Sequence, residues 1–410
     1  MLTRHFTGRQ TAGTCEFLVK FQGEEMSRAV TADHVLFDEC IDAFRRKRDD
    51  FRPISPGDSH SFLLTPFQLS DEWDLGICKV APSIKAQLPG AYAAFISKVK
   101  NPDWVGTRNS HLFGIALSTV VSSVTLKVCK STRDDYMCRR TDLSEREIHE
   151  LAILHPILTA GPGSKHSLLS RSKQYLMQAE IQDLISKLIS VEYKTYRIVM
   201  QSLRLIHLSL LSKRDDFGLA YLLAVSAIET IAQNAISRDK VKKKHPNEKV
   251  WKNKAKEDPC FKSLLDEYLE SRGKNEYLRE RFVRFLLQFA PVDKWLEYVE
   301  HPMQDMAEYF KEVNPAHDLD DLVGKNWFEK YPEDLAADEI ESILSDAYVH
   351  RSCFVHRGEQ PPHKDPNPSM NRFFQEYIEY DGYNIKERIL PNYELIMGLS
   401  KNSLLNWLNK

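Results

Sequence analysis

Asp346-Ala-Tyr-Val-His-Arg-Ser-Cys-Phe-Val-His-Arg-Gly-Glu359 closes a stretch in which Leu335, Ile340, Ile343, Leu344, Ala347, Tyr348 and Val355 recur at helical steps. This spacing predicts an amphipathic helix from about Glu333 to Arg357. Arg351 follows Ala347 by one turn and precedes Val355 by another, so its stem lies beside the packed stripe and its head suits a cleft rim. His356 stands five positions further on. At about 100° per residue, that step turns the side-chain direction by roughly 140°, a gap that the long arginine can close. A fixed positive charge and an imidazole that titrates near neutrality can together hold a phosphate and move a proton. The same pair also suits a solvated arginine and a histidine near a helix C-terminus, where a cation favours the dipole.

Phe217 to Ile236 reads as a helix that is apolar around most of its circumference, with Asp215 or Asp216 as its cap. Its polar residues Ser226, Glu229, Thr230, Gln233 and Ser237 form one narrow seam. A carboxylate in the middle of such a seam needs a partner. Arg351 is one candidate partner for Glu229, and a nearby lysine or water at an edge is the other.

The string Tyr348-Val-His-Arg351-Ser-Cys-Phe-Val-His356-Arg-Gly358 resembles the R-x(4-6)-H motif of the HEPN superfamily, especially its ApeA-like branch. The run Leu219 to Glu229, ending Ala-Ile-Glu, resembles the upstream core helix of that branch. Ser352 departs from the Asn, Asp or His that often follows the arginine in HEPN ribonucleases. The resemblance covers the C-terminal half. It implies an α-helical bundle that forms a homodimer, needs no cofactor or metal, and cleaves RNA to 2',3'-cyclic phosphate and 5'-hydroxyl ends. The implied catalytic residues are Arg351 and His356, with Glu229 orienting the arginine. A bacterial toxin or phage-defence effector, with a trigger or antitoxin as a further partner, follows from the same resemblance, and the scattered cysteines fit a reducing cytoplasm. A non-catalytic HEPN dimerisation or nucleotide-binding scaffold is the alternative.

Arg238 to Lys256 is rich in lysine and reads as a solvated loop. If the chain handles RNA, Lys242, Lys243, Lys244 and Arg357 are the phosphate contacts and Trp251 the stacking platform.

The expected fold class is α+β: a mixed α/β regulatory or sensing domain over residues 1–160, then a HEPN-like helical domain over 166–410. The 410-residue length is too great for one ordinary core. In the first part, alternation predicts strands at Cys15–Gln22, Ser61–Leu69 and Leu75–Val80, and apolar runs predict helices at Tyr92–Val99 and Leu112–Val128. Ser144 and Glu147 have capping-box spacing for a helix to about Leu158. Thr159 to Lys165 lacks the first glycine of a phosphate loop and reads as a Gly/Pro linker. Beyond it, helices are expected at Leu176–Leu211, Phe261–Ser271, Tyr277–Phe289, Trp295–Val313 and Tyr393–Leu408, with Arg204 and His207 on a surface.

A net charge of -2 and a pI near 6.7 exclude a global polyelectrolyte, so any nucleic-acid contact must be a local patch. Seven scattered cysteines without a C-x-x-C pair argue against a disulfide framework or a zinc ribbon. Of the three candidate zinc ligands His350, His356 and His363, the first two project about 240° apart on one helix, which argues against zinc. No stretch reaches the length of a membrane span, and no apolar signal core opens the chain.

Overall fold

The computed structural model describes residues 33–45, 60–87, 93–140, 143–157, 168–242, 245–274, 276–316, 319, 321, 323–326, 329–360, 371–381 and 384–410. The strand expected at Cys15–Gln22, the Gly/Pro segment at 159–165 and the residues Lys243, Lys244 and His363 lie outside them.

An α+β architecture is observed, with an N-terminal sheet and a C-terminal helical region. The first part runs α1 (Asp33–Phe44), β1 (His60–Thr65), β2 (Trp73–Asp74), β3 (Lys79–Val80), β4 (Ile84–Gln87), β5 (Ala93–Lys100), α2 (Ser110–Thr125), α3 (Asp135–Arg139) and α4 (Glu145–Leu154). The sheet is antiparallel, in the order β1-β5-β3-β2, with β4 also paired to β5. The helix expected at Tyr92–Val99 is therefore a strand. β5 aligns Leu64 with Ile96 on one side and Ile84 with Ile96 on the other, so its short apolar run is buried between neighbours. A run of that length fits either element, and here pairing on both edges decides it.

α2 is buried along its whole length. Ser118, Ser123 and Thr125 satisfy their hydroxyls within the helix, donating to the carbonyls of Ile115, Thr119 and Val121, and Ser122 donates to the Cys129 carbonyl beyond it. Among the described residues, no helix is long and apolar enough to cross a membrane. At α4 the capping box forms as its spacing predicts. Ser144 Oγ accepts from the Glu147 amide, and Glu147 accepts from the Ser144 amide at 2.9 Å. Hydrogen bonds from Ser144, with the Arg140 guanidinium beside it, hold the Glu147 carboxyl down at about 2.

The second part runs α5 (Arg171–Ser190), α6 (Tyr193–Ser212), α7 (Phe217–Ala235), α8 (Arg238–Val241), α9 (Glu248–Lys254), α10 (Pro259–Lys274), α11 (Leu278–Phe289), α12 (Trp295–Tyr298), α13 (Gln304–Val313), α14 (Ala337–Arg357), β6 (Phe374–Asp381), β7 (Asn384–Pro391) and α15 (Tyr393–Leu408). The periodic stretch 176–211 is two helices, because Val191 and Glu192 are extended. Arg45 caps the end of the first, donating to the carbonyls of Leu188 at 3.1 Å and Val191 at 2.6 Å. The stretch 295–313 also divides, with Val299 extended and Pro302 in the break, where proline disfavours helix in the residue before it. The hairpin β6–β7, paired from Phe374↔Pro391 to Asp381↔Asn384, is an addition to the expected helical bundle.

A single apolar core runs from α1 to α15. His207, expected on a surface, is instead buried where α6 meets α2. Its Nε2–H donates to the Cys129 carbonyl at 2.8 Å, which leaves Nδ1 to accept from the Thr119 hydroxyl at 3.0 Å. The correction has a simple cause: on α6, His207 follows Leu203 by one turn and so shares the buried stripe. The six described cysteines are free thiols.

Candidate functional site

α14 begins where the Glu339 carboxylate accepts from the Ala336 amide at 2.8 Å, and it ends at Gly358. Gly358 has φ +69 and donates to the Phe354 carbonyl at 3.0 Å, the left-handed stop that glycine adopts without a Cβ penalty. The buried stripe is Ile340, Ile343, Leu344, Ala347 and Tyr348, and Arg351 takes the next place along it. Across this stripe lies α7, capped by Asp216, whose carboxylate accepts from the Leu219 amide. α7 presents Glu229 at 5% exposure.

Arg351 and Glu229 meet: Nη2 is 2.9 Å from Oε2, with the arginine side chain 23% exposed and the glutamate 7%. The contact is an ion pair, not an aligned hydrogen bond, and Arg351 Nε has no acceptor among the described residues. The other carboxylate oxygen accepts twice, from the Tyr348 hydroxyl at 3.1 Å and from Gln233 Nε2 at 3.1 Å. Burial first, and then the Glu229 charge, push the Tyr348 phenol up to about 12, so it remains a donor at neutral pH. Its ring lies under the guanidinium, 5.9 Å from Cζ to centroid, and against Phe282. The guanidinium is thus oriented from α7, and the carboxylate that orients it is pinned from both helices.

Sequence reasoning found Glu229 and Arg351 but gave no role to the Tyr348 hydroxyl or the Gln233 amide. Their signal was the spacing: Tyr348 one turn before the arginine, and Gln233 one turn after the glutamate.

His356 is not part of this cluster. It is exposed on the last turn of α14 and makes no hydrogen bond or ion pair among the described residues. Arg357 is exposed as well, 3.5 Å from Glu359. His350 faces the hairpin, its Nε2 2.9 Å from the Tyr377 hydroxyl, and Asp346 one turn earlier is 3.5 Å from Arg388. Among the described residues, no group of three or more His, Cys, Asp or Glu could hold a metal ion.

The lysine-rich segment after α7 is not the loop its composition suggested, since it contains α8 and α9. Glu248 explains the order. It is buried and pairs with Arg272 of α10 and with Lys252 at 2.8 Å, which pins α9 to α10. Lys242 ends α8, half-buried. Trp251 is half-buried, with one face stacked on His245 at 4.1 Å and an edge contact to Tyr268 at 5.3 Å. A base can stack there only on the face that His245 leaves, or after His245 moves. Arg281 of α11 ties that helix to the end of the Glu229 helix by donating to the Gln233 and Ile236 carbonyls.

Compared with protein-family models, with curated proteins and with solved structures, the chain gives no match.

Proposed function

We propose that the chain is a metal-independent endoribonuclease of HEPN type that works as a homodimer, in a toxin or phage-defence role. The observation that carries this reading is the arginine of the R-x4-H string held at 2.9 Å by a buried glutamate on the neighbouring apolar helix. An arginine fixed by one edge keeps its remaining N–H groups oriented for a phosphate, which lowers the cost of organising charge in the transition state. In the reaction, the ribose 2'-oxygen attacks the adjacent phosphorus and loses its proton to a base. The bond from phosphorus to the 5'-oxygen breaks and that oxygen takes up a proton, leaving a 2',3'-cyclic phosphate and a 5'-hydroxyl. Arg351 stabilises the charge on the phosphorane, and His356, exposed and free to move, carries the proton. Because Arg351 and His356 do not touch within one chain, this reading has two copies of α14 completing the centre. Lys242 and the open face of Trp251 then supply phosphate and base contacts beyond it.

The separation of His356 from Arg351 also favours the second reading, a HEPN-like scaffold in which the Arg351–Glu229 pair is purely structural. Total RNA incubated with the full chain in EDTA separates the two. Cleavage that falls roughly 10²–10⁴-fold in a folded His356→Ala variant supports the enzyme. Equal cutting by both proteins, or by neither, supports the scaffold.

A further inference from the structure

A second feature of the motif helix lies at its other end. Between the first turns of α14, the end of α11 and the start of α12 there is a groove of about 410 Å³, within the range of about 300–1,000 Å³ typical of ligand pockets. Its floor is apolar: Leu287, Val292, Leu296 and Ile340 line it, the first three packed on the core but only partly buried. Every charged side chain that lines it is acidic, namely Asp293, Glu333 and Glu341. All three are exposed. Glu333 is neutralised by Lys325, whereas Asp293 and Glu341 have no ion pair among the described residues. Ile340 precedes Arg351 by eleven residues, roughly 16 Å along the helix, so the groove is separate from the Glu229 cluster.

We infer that this groove binds a short cationic, apolar peptide segment of a partner protein. The floor takes its aliphatic side chains, and Asp293 and Glu341 pair with its lysines or arginines. The chemistry selects among occupants. A carboxylate rim repels phosphate, nucleic acid and anionic lipid, while the apolar floor gains nothing from a purely polar cation. Apolar anchors seated beside helices, with charges fixing register at the rim, are a recurrent mode of peptide capture. The inference stands independently of the ribonuclease reading.

The test titrates the full chain with a fluorescein-labelled pentapeptide of two lysines and three leucines, and with its counterpart carrying glutamates for the lysines. Saturable binding of the lysine peptide is expected, at least tenfold tighter than that of the glutamate peptide and weaker as salt rises. The double variant Asp293→Lys/Glu341→Lys is expected to lose at least tenfold in affinity with its melting temperature retained. If it melts early, Glu341→Gln alone must still weaken binding. Absence of saturable binding, equal affinity of the two peptides, or unchanged affinity in the variants overturns the inference. So does sedimentation showing that the charge reversals only dissociate a dimer, since the groove then belongs to a second copy.

Discussion

Glu229 sits between a tyrosine, a glutamine and an arginine drawn from two helices, and its removal separates packing from charge. Glu229→Ala leaves a largely buried guanidinium without its counter-ion, and chemical denaturation is expected to show a loss of about 2–3 kcal/mol. Tyr348→Phe removes one donor to a buried oxygen and costs about 1 kcal/mol. An unchanged midpoint in Glu229→Ala would mean that the pair adds nothing to the fold. The pairing itself was legible, because a carboxylate in an apolar seam must find a cation or a set of donors. Tyr348 was counted only as part of the apolar face, since a hydroxyl partner is decided by packing between helices and not by periodicity. His207 was missed further: it was expected on a surface although it follows Leu203 by one turn on the buried stripe, and nothing in its neighbours named Thr119. Burial, with Arg204 adding to it, pushes this imidazole down to about 3 from a usual 6.5. The folded state therefore refuses a proton that the unfolded chain accepts. Its contribution is complete above about pH 6.5 and is lost as pH falls toward about 3, at up to about 1.4 kcal/mol per pH unit. Denaturation midpoints over that range should show a slope that shrinks in His207→Gln.

At the scale of elements, the start of α7 could be read because an Asp cap and an apolar run agree there. β5 could not, because four apolar residues in a row carry no period and only the partner strands distinguish a strand from a helix. The hairpin β6–β7 went unread, although Asp381-Gly382 stands between two alternating runs in the sequence. The break after Tyr298 was marked by Pro302. Gly358 is the element-scale position most open to test. A Cβ there meets nothing within 4 Å, so the cost of substitution is backbone conformation alone. Gly358→Ala is expected to lower stability by about 1 kcal/mol through the left-handed φ. Crystallography or exchange protection should locate the change in the last turn of α14, which carries His356. A loss spread through the core would contradict this.

For the whole molecule, the continuous core packs α2 on α6, and α6 in turn on α7, the helix that carries Glu229. The sequence foretold the α+β class, because strand alternation gives way to helical period along the chain. It was silent on how the halves meet, which depends on buried contacts such as Thr119 with His207. If two copies build one reaction centre, mixing inactive Arg351→Ala and His356→Ala chains under conditions of subunit exchange should restore part of the cutting that neither shows alone. No recovery, with exchange demonstrated by mass, would place both groups in one chain. The most direct test of the central claim reads the ends of RNA fragments made by the full chain in EDTA, beside Arg351→Ala. The account predicts 2',3'-cyclic phosphates and 5'-hydroxyls from the wild type and their loss in the variant. Intact RNA, 3'-hydroxyl ends that need added divalent metal, or equal cleavage by Arg351→Ala would contradict it.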